Sequence, residues 1–461
     1  MIDKLKERRK SIFVLTLVGI FLCAIAYFLN GRASFFSNDD RYFNDTEFFI
    51  GASLVICLEV CILIYAIKSS FKIKINTPLL IILMFFFLTS IISIVGYNGV
   101  NFQGNIIGQI DWISKLKCIL LSLIIFSSLY VSITIIPNFV AEINSIRLVF
   151  YLAVAVASAA LIYSLIFEHQ IYVDFFTNKA NPESYAINVP RSFTAHRNIY
   201  GFLLFLGMVS EGFLELEKPH WRRLPIMSIF LLQQFFTFSK TCMILGIFFI
   251  VYIFVHSLIK NIKQNNYTHA LFLIIYACIL CVIILVCLFV DFRNTPFECI
   301  TNYSTFLKNE LFKMFKISMQ SREISWTLPV DAVLSGGAFS LFFGFGYGNE
   351  YSALGAFYCG DPTIYPIIDN AWGLMLAQNG IFGMAYGLFV WGIGIYLVLK
   401  SFMRKSKHAI FYAVLYLCLL GRTFTENNSM SYLEYMGMFY FCFLHLPMLV
   451  EEANYKKENA Q

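Results

Sequence analysis

Runs of about 17 to 25 nearly uninterrupted apolar residues recur along this 461-residue chain, separated by short polar stretches. A run of that length is what a helix needs to cross the hydrocarbon core of a bilayer. Such runs must be helical, because lipid offers no water to the backbone N–H and C=O groups. The rest of the composition agrees: 59% of the residues are apolar, 18% aromatic and only 13% charged, against about 25% charged in a soluble domain. A soluble fold of this length could not hide so much apolar surface.

The fold class expected is therefore all-α, a polytopic integral membrane protein with about twelve transmembrane helices. The spans read near 11–29, 48–67, 78–96, 116–136, 146–167, 198–213, 223–238, 241–259, 270–290, 371–399, 409–424 and 432–449. Lys4, Lys6, Arg8, Arg9 and Lys10 precede the first span as in a signal peptide. Its apolar core is too long for one, however, and no small-x-small cleavage site follows, so it is read as retained. With the N-terminus in the cytoplasm, the inner segments hold 20 of the 34 Lys and Arg, counting Arg147 and Arg223 at the edges of their spans. The outer segments are together about twice as long and hold fewer cations. This is the positive-inside bias, and it puts both termini in the cytoplasm. The net charge of +6 then reflects membrane orientation rather than nucleic-acid binding.

No soluble domain, linker or clear internal repeat interrupts the pattern, so residues 1–461 read as a single membrane domain. Two outer segments stand out, 168–197 and 291–370, the second a large loop between spans 9 and 10. A loop that long usually carries function. Within it Leu307, Leu311, Phe315 and Met319 recur every four residues, with Asn309, Lys313, Lys316 and Gln320 on other faces. That predicts an amphipathic helix suited to the membrane surface. Ten of the twelve cysteines fall within spans, where a thiol acts as a small apolar group; Cys299 and Cys359 share the second outer segment and are the candidates for a disulfide. The histidines are scattered, no metal-ligand spacing occurs, and no metal site or cofactor is expected.

Cations are placed unusually on the outer side. Arg191 and Arg197 flank Ser-Phe-Thr-Ala-His just before a span, Lys240 interrupts a short turn, and Arg322 stands four residues before Trp326. Each could anchor at the interface or pair with an acid. Together they also suit a diphosphate, since guanidinium groups grip phosphate oxygens in pairs and an ammonium adds point charge. Gly344-Phe-Gly346-Tyr-Gly348 lacks the strand and lysine of a nucleotide loop and reads as a turn or a place of close helix packing. Asp369 and Asn370 meet the start of an apolar helix, where a side-chain cap and a catalytic carboxylate are both open readings. Arg422 and Glu426, four apart, read as an ion pair that either locks helices or marks function, as an acceptor contact for example; Glu59 and Glu211 are weaker intramembrane candidates.

Taken in order, several stretches resemble the bacterial O-antigen ligase and polymerase superfamily. They are Arg191-Ser-Phe-Thr-Ala-His-Arg-Asn198, Phe236-Thr-Phe-Ser-Lys240-Thr, Ser321-Arg322-Glu-Ile-Ser-Trp326, Gly344-Phe-Gly346-Tyr-Gly348, and Asp369-Asn370 followed by Gln378-Asn-Gly380-Ile-Phe-Gly383. The resemblance covers roughly 190–400. It implies a glycosyltransferase of the inner (plasma) membrane that uses no cofactor. Its donor and acceptor would be polyprenyl-diphosphate-linked oligosaccharides, with membrane lipids and a chain-length regulator as further partners and no nucleic acid. In that reading Arg191, Arg197, Lys240 and Arg322 bind diphosphate and Asp369 is the catalytic base. Where many ligases of the superfamily have His-Asn this chain has Asp369-Asn370, and Lys240 stands where an arginine is common. The missing histidine weakens the ligase reading and leaves the polymerase branch favoured. The ligase, joining glycan to a lipid A core, and a transporter or flippase of lipid-linked glycan are the alternatives.

Overall fold

The computed structural model describes residues 45–68, 76–102, 105–107, 111–142, 146–177, 189–192, 197–237, 239–295, 297–346, 349–360, 368, 370–423 and 445–455. Apart from one short hairpin, the described chain is helical. Seven helices among the described residues are long and apolar enough to cross a membrane, which makes the chain a helical membrane protein. The expected span 11–29 and most of 432–449 lie outside the described residues. Those expected at 48–67 and 409–424 appear as helices with shorter apolar stretches, Phe49–Tyr65 and Ala409–Thr423, and the one at 223–238 appears as a 15-residue helix.

The chain divides into two compact units, Met1–Ile146 with Ser321–Gln461, and Arg147–Gln320. The first contains α1 (Asp45–Lys68), α2 (Thr77–Gly96), the antiparallel strands β1 (Val100–Phe102) and β2 (Asn105–Ile107), α3 (Trp112–Thr134) and α4 (Ile136–Glu142). Local chemistry starts its helices. Asn76 Oδ1 accepts from Leu79 N–H ahead of α2, with a proline in the first turn, and Asp111 Oδ1 accepts from Ser114 N–H at 3.1 Å ahead of α3. The Ser114 hydrogen bond also holds the Asp111 carboxyl below its usual range. Lys115, 4% exposed, donates to the carbonyls of Val95 and Tyr97 and so serves the C-terminus of α2. The intramembrane candidate Glu59 joins α1 to α3 by accepting from Ser127 and Ser128.

The second unit holds α5 (Ile146–Phe167), α6 (His169–Thr177), α7 (Arg197–Glu217), α8 (Arg223–Thr237), α9 (Lys240–Lys263) and α10 (Tyr267–Phe289). Helix α7 is its centre, with 94% of its apolar window buried against 11% for α10. Its core is Ala157, Ala160, Tyr200, Leu204, Met208 and Phe230. By contrast α10 turns Ile279, Val282, Ile283, Ile284 and Leu285 outward, each more than half exposed, as a lipid-facing helix does. One end of α7 is tied through its carboxylates. Glu211 pairs with Arg223 at 2.9 Å. Glu215 accepts from Ser257 on α9 and pairs with His269 on α10.

The segment 291–370, expected as a large outer connection, is not bare loop among the described residues. Most of that segment is helix: α11 (Glu298–Ser335), α12 (Gly337–Phe343) and α13 (Glu350–Cys359). The amphipathic stretch 307–320 is part of α11, a single 38-residue helix with Pro329 inside it. Cys299, buried on α11, and Cys359, exposed on α13, do not form a disulfide. The first unit is completed by α14 (Ala371–Met403), α15 (Ala409–Thr423) and a helix over 445–455. Ion pairs of Lys400 and Arg404 with Glu452, at 2.8 and 2.5 Å, hold that last helix against the end of α14.

Candidate functional site

Helices α7 and α9 begin side by side in the second unit. Asn198 O lies 4.0 Å from Cys242 Sγ, and a Cβ at Gly201 would come within 2.9 Å of Ser239 Cβ. Helix α8 packs against both, and its Gln234 Nε2 donates to Gly201 O at 2.8 Å. Arg197 and Lys240 are the first residues of these two helices, and neither helix has an acidic residue in its first turn. A helix N-terminus carries unfilled N–H groups and partial positive charge, so acids are the usual residues there. Cations at two adjacent N-termini therefore compound positive potential, and the chemistry that answers it is an anion. Ser239 caps α9 without a side-chain bond to it; its Oγ is buried and has no hydrogen-bond partner.

Arg191 precedes this pair on a fixed stretch of backbone. Glu168, at the end of α5, accepts from Arg191 N–H and Ser192 N–H, both at 2.9 Å, and from Ser164 Oγ at 2.6 Å. Ser192 takes the left-handed region, φ +57°, and its Oγ donates to Ala160 O. A carboxylate thus sits on two consecutive N–H groups, pinning the backbone while the Arg191 residue stays exposed. Beside it Tyr172, on α6, bonds Ser164 and accepts from Gln233; burial pushes its phenol above the usual range.

The other candidates belong to the first unit. Asn370 is the cap of α14, its Oδ1 accepting from Gly373 N–H. The capping reading thus belongs to Asn370; Asp369 lies outside the described residues. The same amide does a second task. Pro329 has no N–H, so the carbonyl of Ser325 one turn earlier loses its helical donor. Asn370 Nδ2 supplies it, at 2.5 Å. Arg322 lies on α11 three residues before Ser325. At the same end Trp372 Nε1 donates to Thr423 Oγ1 at 3.1 Å, next to Arg422, which is fully buried on α15. Glu426, its expected partner, lies outside the described residues. The structure thus brings Arg197 and Lys240 together with the Arg191 turn in one unit, and Asn370 with the α11 turn after Arg322 and the end of α15 in the other.

A third feature is a break in α14. Asn379 and Gly380 leave the helical region, Gly380 at φ +59°, ψ −143°. The glycine-rich turn at 344–346 is packed into the break: Phe345 N–H and Gly346 N–H donate to the carbonyls of Ala377 and Gln378. Gly344, at φ +69°, has no room for a side chain, since a Cβ would lie 2.6 Å from Ala377 O. Gly344 and Gly346 thus serve a turn and close packing; Gly348 lies outside the described residues. Gln378 Nε2 donates to Glu350 Oε1 at 2.9 Å, and Ser93 Oγ to Gln378 O at 3.0 Å.

Sequence reading did not single out Glu168, Ser239, Asn349 or Glu350. For Glu168 and Ser239 the available signal was position, beside Arg191 and Lys240 at loop–helix junctions; Asn349 and Glu350 directly follow the glycine turn. The chain matches no known protein family, no curated protein and no solved structure.

Proposed function

We propose that the chain is a polymerase of lipid-linked oligosaccharide repeat units, a polytopic protein of about twelve spans in a bacterial inner membrane with cytoplasmic termini. The acceptor's terminal sugar hydroxyl attacks the anomeric carbon of the donor glycan. The bond from that carbon to the phosphate oxygen breaks, and polyprenyl diphosphate departs with the electron pair. Asp369 takes the hydroxyl proton. Charge grows on the departing diphosphate, and fixed cations in a site poor in water stabilise it.

The observation that carries the reading is the pairing of Arg197 and Lys240 at two adjacent helix N-termini, with the buried Ser239 hydroxyl between their packed ends. Arg191 is assigned to the same diphosphate; the roles of Arg322 and Asp369 rest on the resemblance. In membranes supplied with lipid-linked repeats, Arg191→Ala, Arg197→Ala and Arg322→Ala should each lose polymer. Asp369→Asn should lose about 10²- to 10⁴-fold while single repeats accumulate. Because Asn370 already caps α14, Asp369→Asn leaves the cap in place. Normal polymer from all three arginine variants, at normal protein level, would remove the diphosphate clamp.

One observation favours a second reading, a transporter of lipid-linked glycan: transporters often place broken helices at their sites, and α14 is broken at Asn379–Gly380. Detergent-solubilised protein separates the two, since polymerisation needs no compartments and transport does.

A further inference from the structure

The break in α14 leaves buried amides without partners. Asn349 is fully buried, and neither its Nδ2 nor its Oδ1 makes a hydrogen bond. Gln378 Oε1 and Asn379 Oδ1 are in the same state, on residues 1% and 2% exposed. The three residues share one small region. Asn349 N–H donates to Gly346 O at 3.1 Å, Gly346 N–H donates to Gln378 O at 2.9 Å, and Gln378 uses its own Nε2 on Glu350, the residue after Asn349. Three unpartnered amide oxygens and a carboxylate therefore lie on neighbouring residues where the helix is unwound, beside the unpartnered NH₂ of Asn349. Buried polar groups are nearly always paired, so three such oxygens together call for something that answers acceptors.

We propose that this break binds a single dehydrated alkali-metal cation through Asn349 Oδ1, Gln378 Oε1 and Asn379 Oδ1, with the Glu350 carboxylate alongside. Hard cations take oxygen ligands, and a cation meets several acceptors without bringing acceptors of its own, as a water would. Most of these oxygens are neutral amides, which suits one positive charge better than two. Broken membrane helices are places where ions are coordinated. The surroundings are rigid enough to hold the oxygens in place, because the glycine turn at 344–346 is bonded into the break from the other side. A bound ion would also fix the two halves of α14 at their kink. The site does not rest on the polymerase reading and would survive its failure.

The test is thermal unfolding of the purified full chain in detergent, in NaCl, KCl or N-methyl-D-glucamine chloride at equal ionic strength. Equal ionic strength cancels screening. An ion that binds only the folded state raises Tm with its concentration, so Na⁺ or K⁺ should raise Tm saturably above the organic cation. Gln378→Leu and Asn379→Ala should weaken that dependence at least tenfold. Since Gln378→Leu also removes the bond to Glu350 and could fail to fold, equilibrium binding of radioactive Na⁺ or Rb⁺ to the unaltered protein is measured as well, with one ion per chain expected. Equal Tm in all three salts with no saturable ion uptake overturns the proposal and leaves the amides to water. An ion effect unchanged in both variants overturns it too, by placing the ion elsewhere.

Discussion

Asn370 shows how one side chain can hold two elements. Its oxygen caps α14 at Gly373 and its NH₂ replaces the donor that Pro329 denies to Ser325 on α11. The cap is legible in sequence, since Asn before an apolar helix is a common start signal. The second bond is not, because it joins positions 45 apart and depends on a proline whose effect falls four residues upstream. The two tasks can be separated by substitution. Asn370→Ser keeps a capping oxygen and loses the NH₂. Asn370→Asp keeps the cap but turns an acceptor toward the Ser325 carbonyl. A buried acceptor left without a donor costs about 1–3 kcal/mol, so thermal unfolding in detergent should rank Asn370→Asp as the less stable of the two. Pro329→Ala returns a backbone N–H to Ser325. In a double-mutant cycle it should therefore recover part of what Asn370→Ser loses. Strict additivity would show that Asn370 acts as a cap alone.

At the scale of elements the decisive feature is the kink in α14. Gly380 combines a left-handed φ with an extended ψ, a region open essentially to glycine, and a Cβ there would lie 2.5 Å from Leu341 O. Gly380→Ala should lower Tm sharply or abolish accumulation in the membrane. Gly392→Ala, on the same helix with open space around it, should be neutral or slightly stabilising because alanine is the better helix former. Equal tolerance at both positions would mean the helix is straight. Apolar period and length gave most helices their place: the expected 146–167 coincides with α5, and 78–96 and 371–399 fall within a few residues of α2 and α14. The kink left no such trace, since Gln-Asn-Gly in a long apolar run is also compatible with an unbroken helix. In the second outer segment the amphipathic period at 307–320 marked a helix but not its length: α11 runs on through a proline whose missing bond is made good from Asn370. Of the candidate site, the cations at helix starts were legible because charge is costly in such places; Ser239 and Glu350 acquire meaning only from what they are packed against.

For the whole molecule, orientation follows from charge rather than from packing. Nothing in a helix's lipid-facing residues distinguishes one side of the membrane from the other, so the sequence signal is the excess of Lys and Arg in alternate connections. The last turn of α14 and the turn after it carry Lys400, Arg404, Lys405 and Lys407 within eight residues, whereas the segment following α10 opens with the single cation Arg293. The ion pairs that hold the helix over 445–455 to Lys400 and Arg404 would put the C-terminal helix on the same side as that turn. This gives a test that needs no assay of activity. Arg293 and Lys407 are both exposed, so a cysteine at either would meet solvent whichever way the protein is inserted. In a background cleared of native cysteines, a membrane-impermeant maleimide added to intact spheroplasts should label Arg293→Cys. It should reach Lys407→Cys only after the membrane is opened. Labelling of Lys407→Cys before permeabilisation would invert the orientation and overturn the assignment of Arg191, Arg197 and Lys240 to a diphosphate site at the outer face.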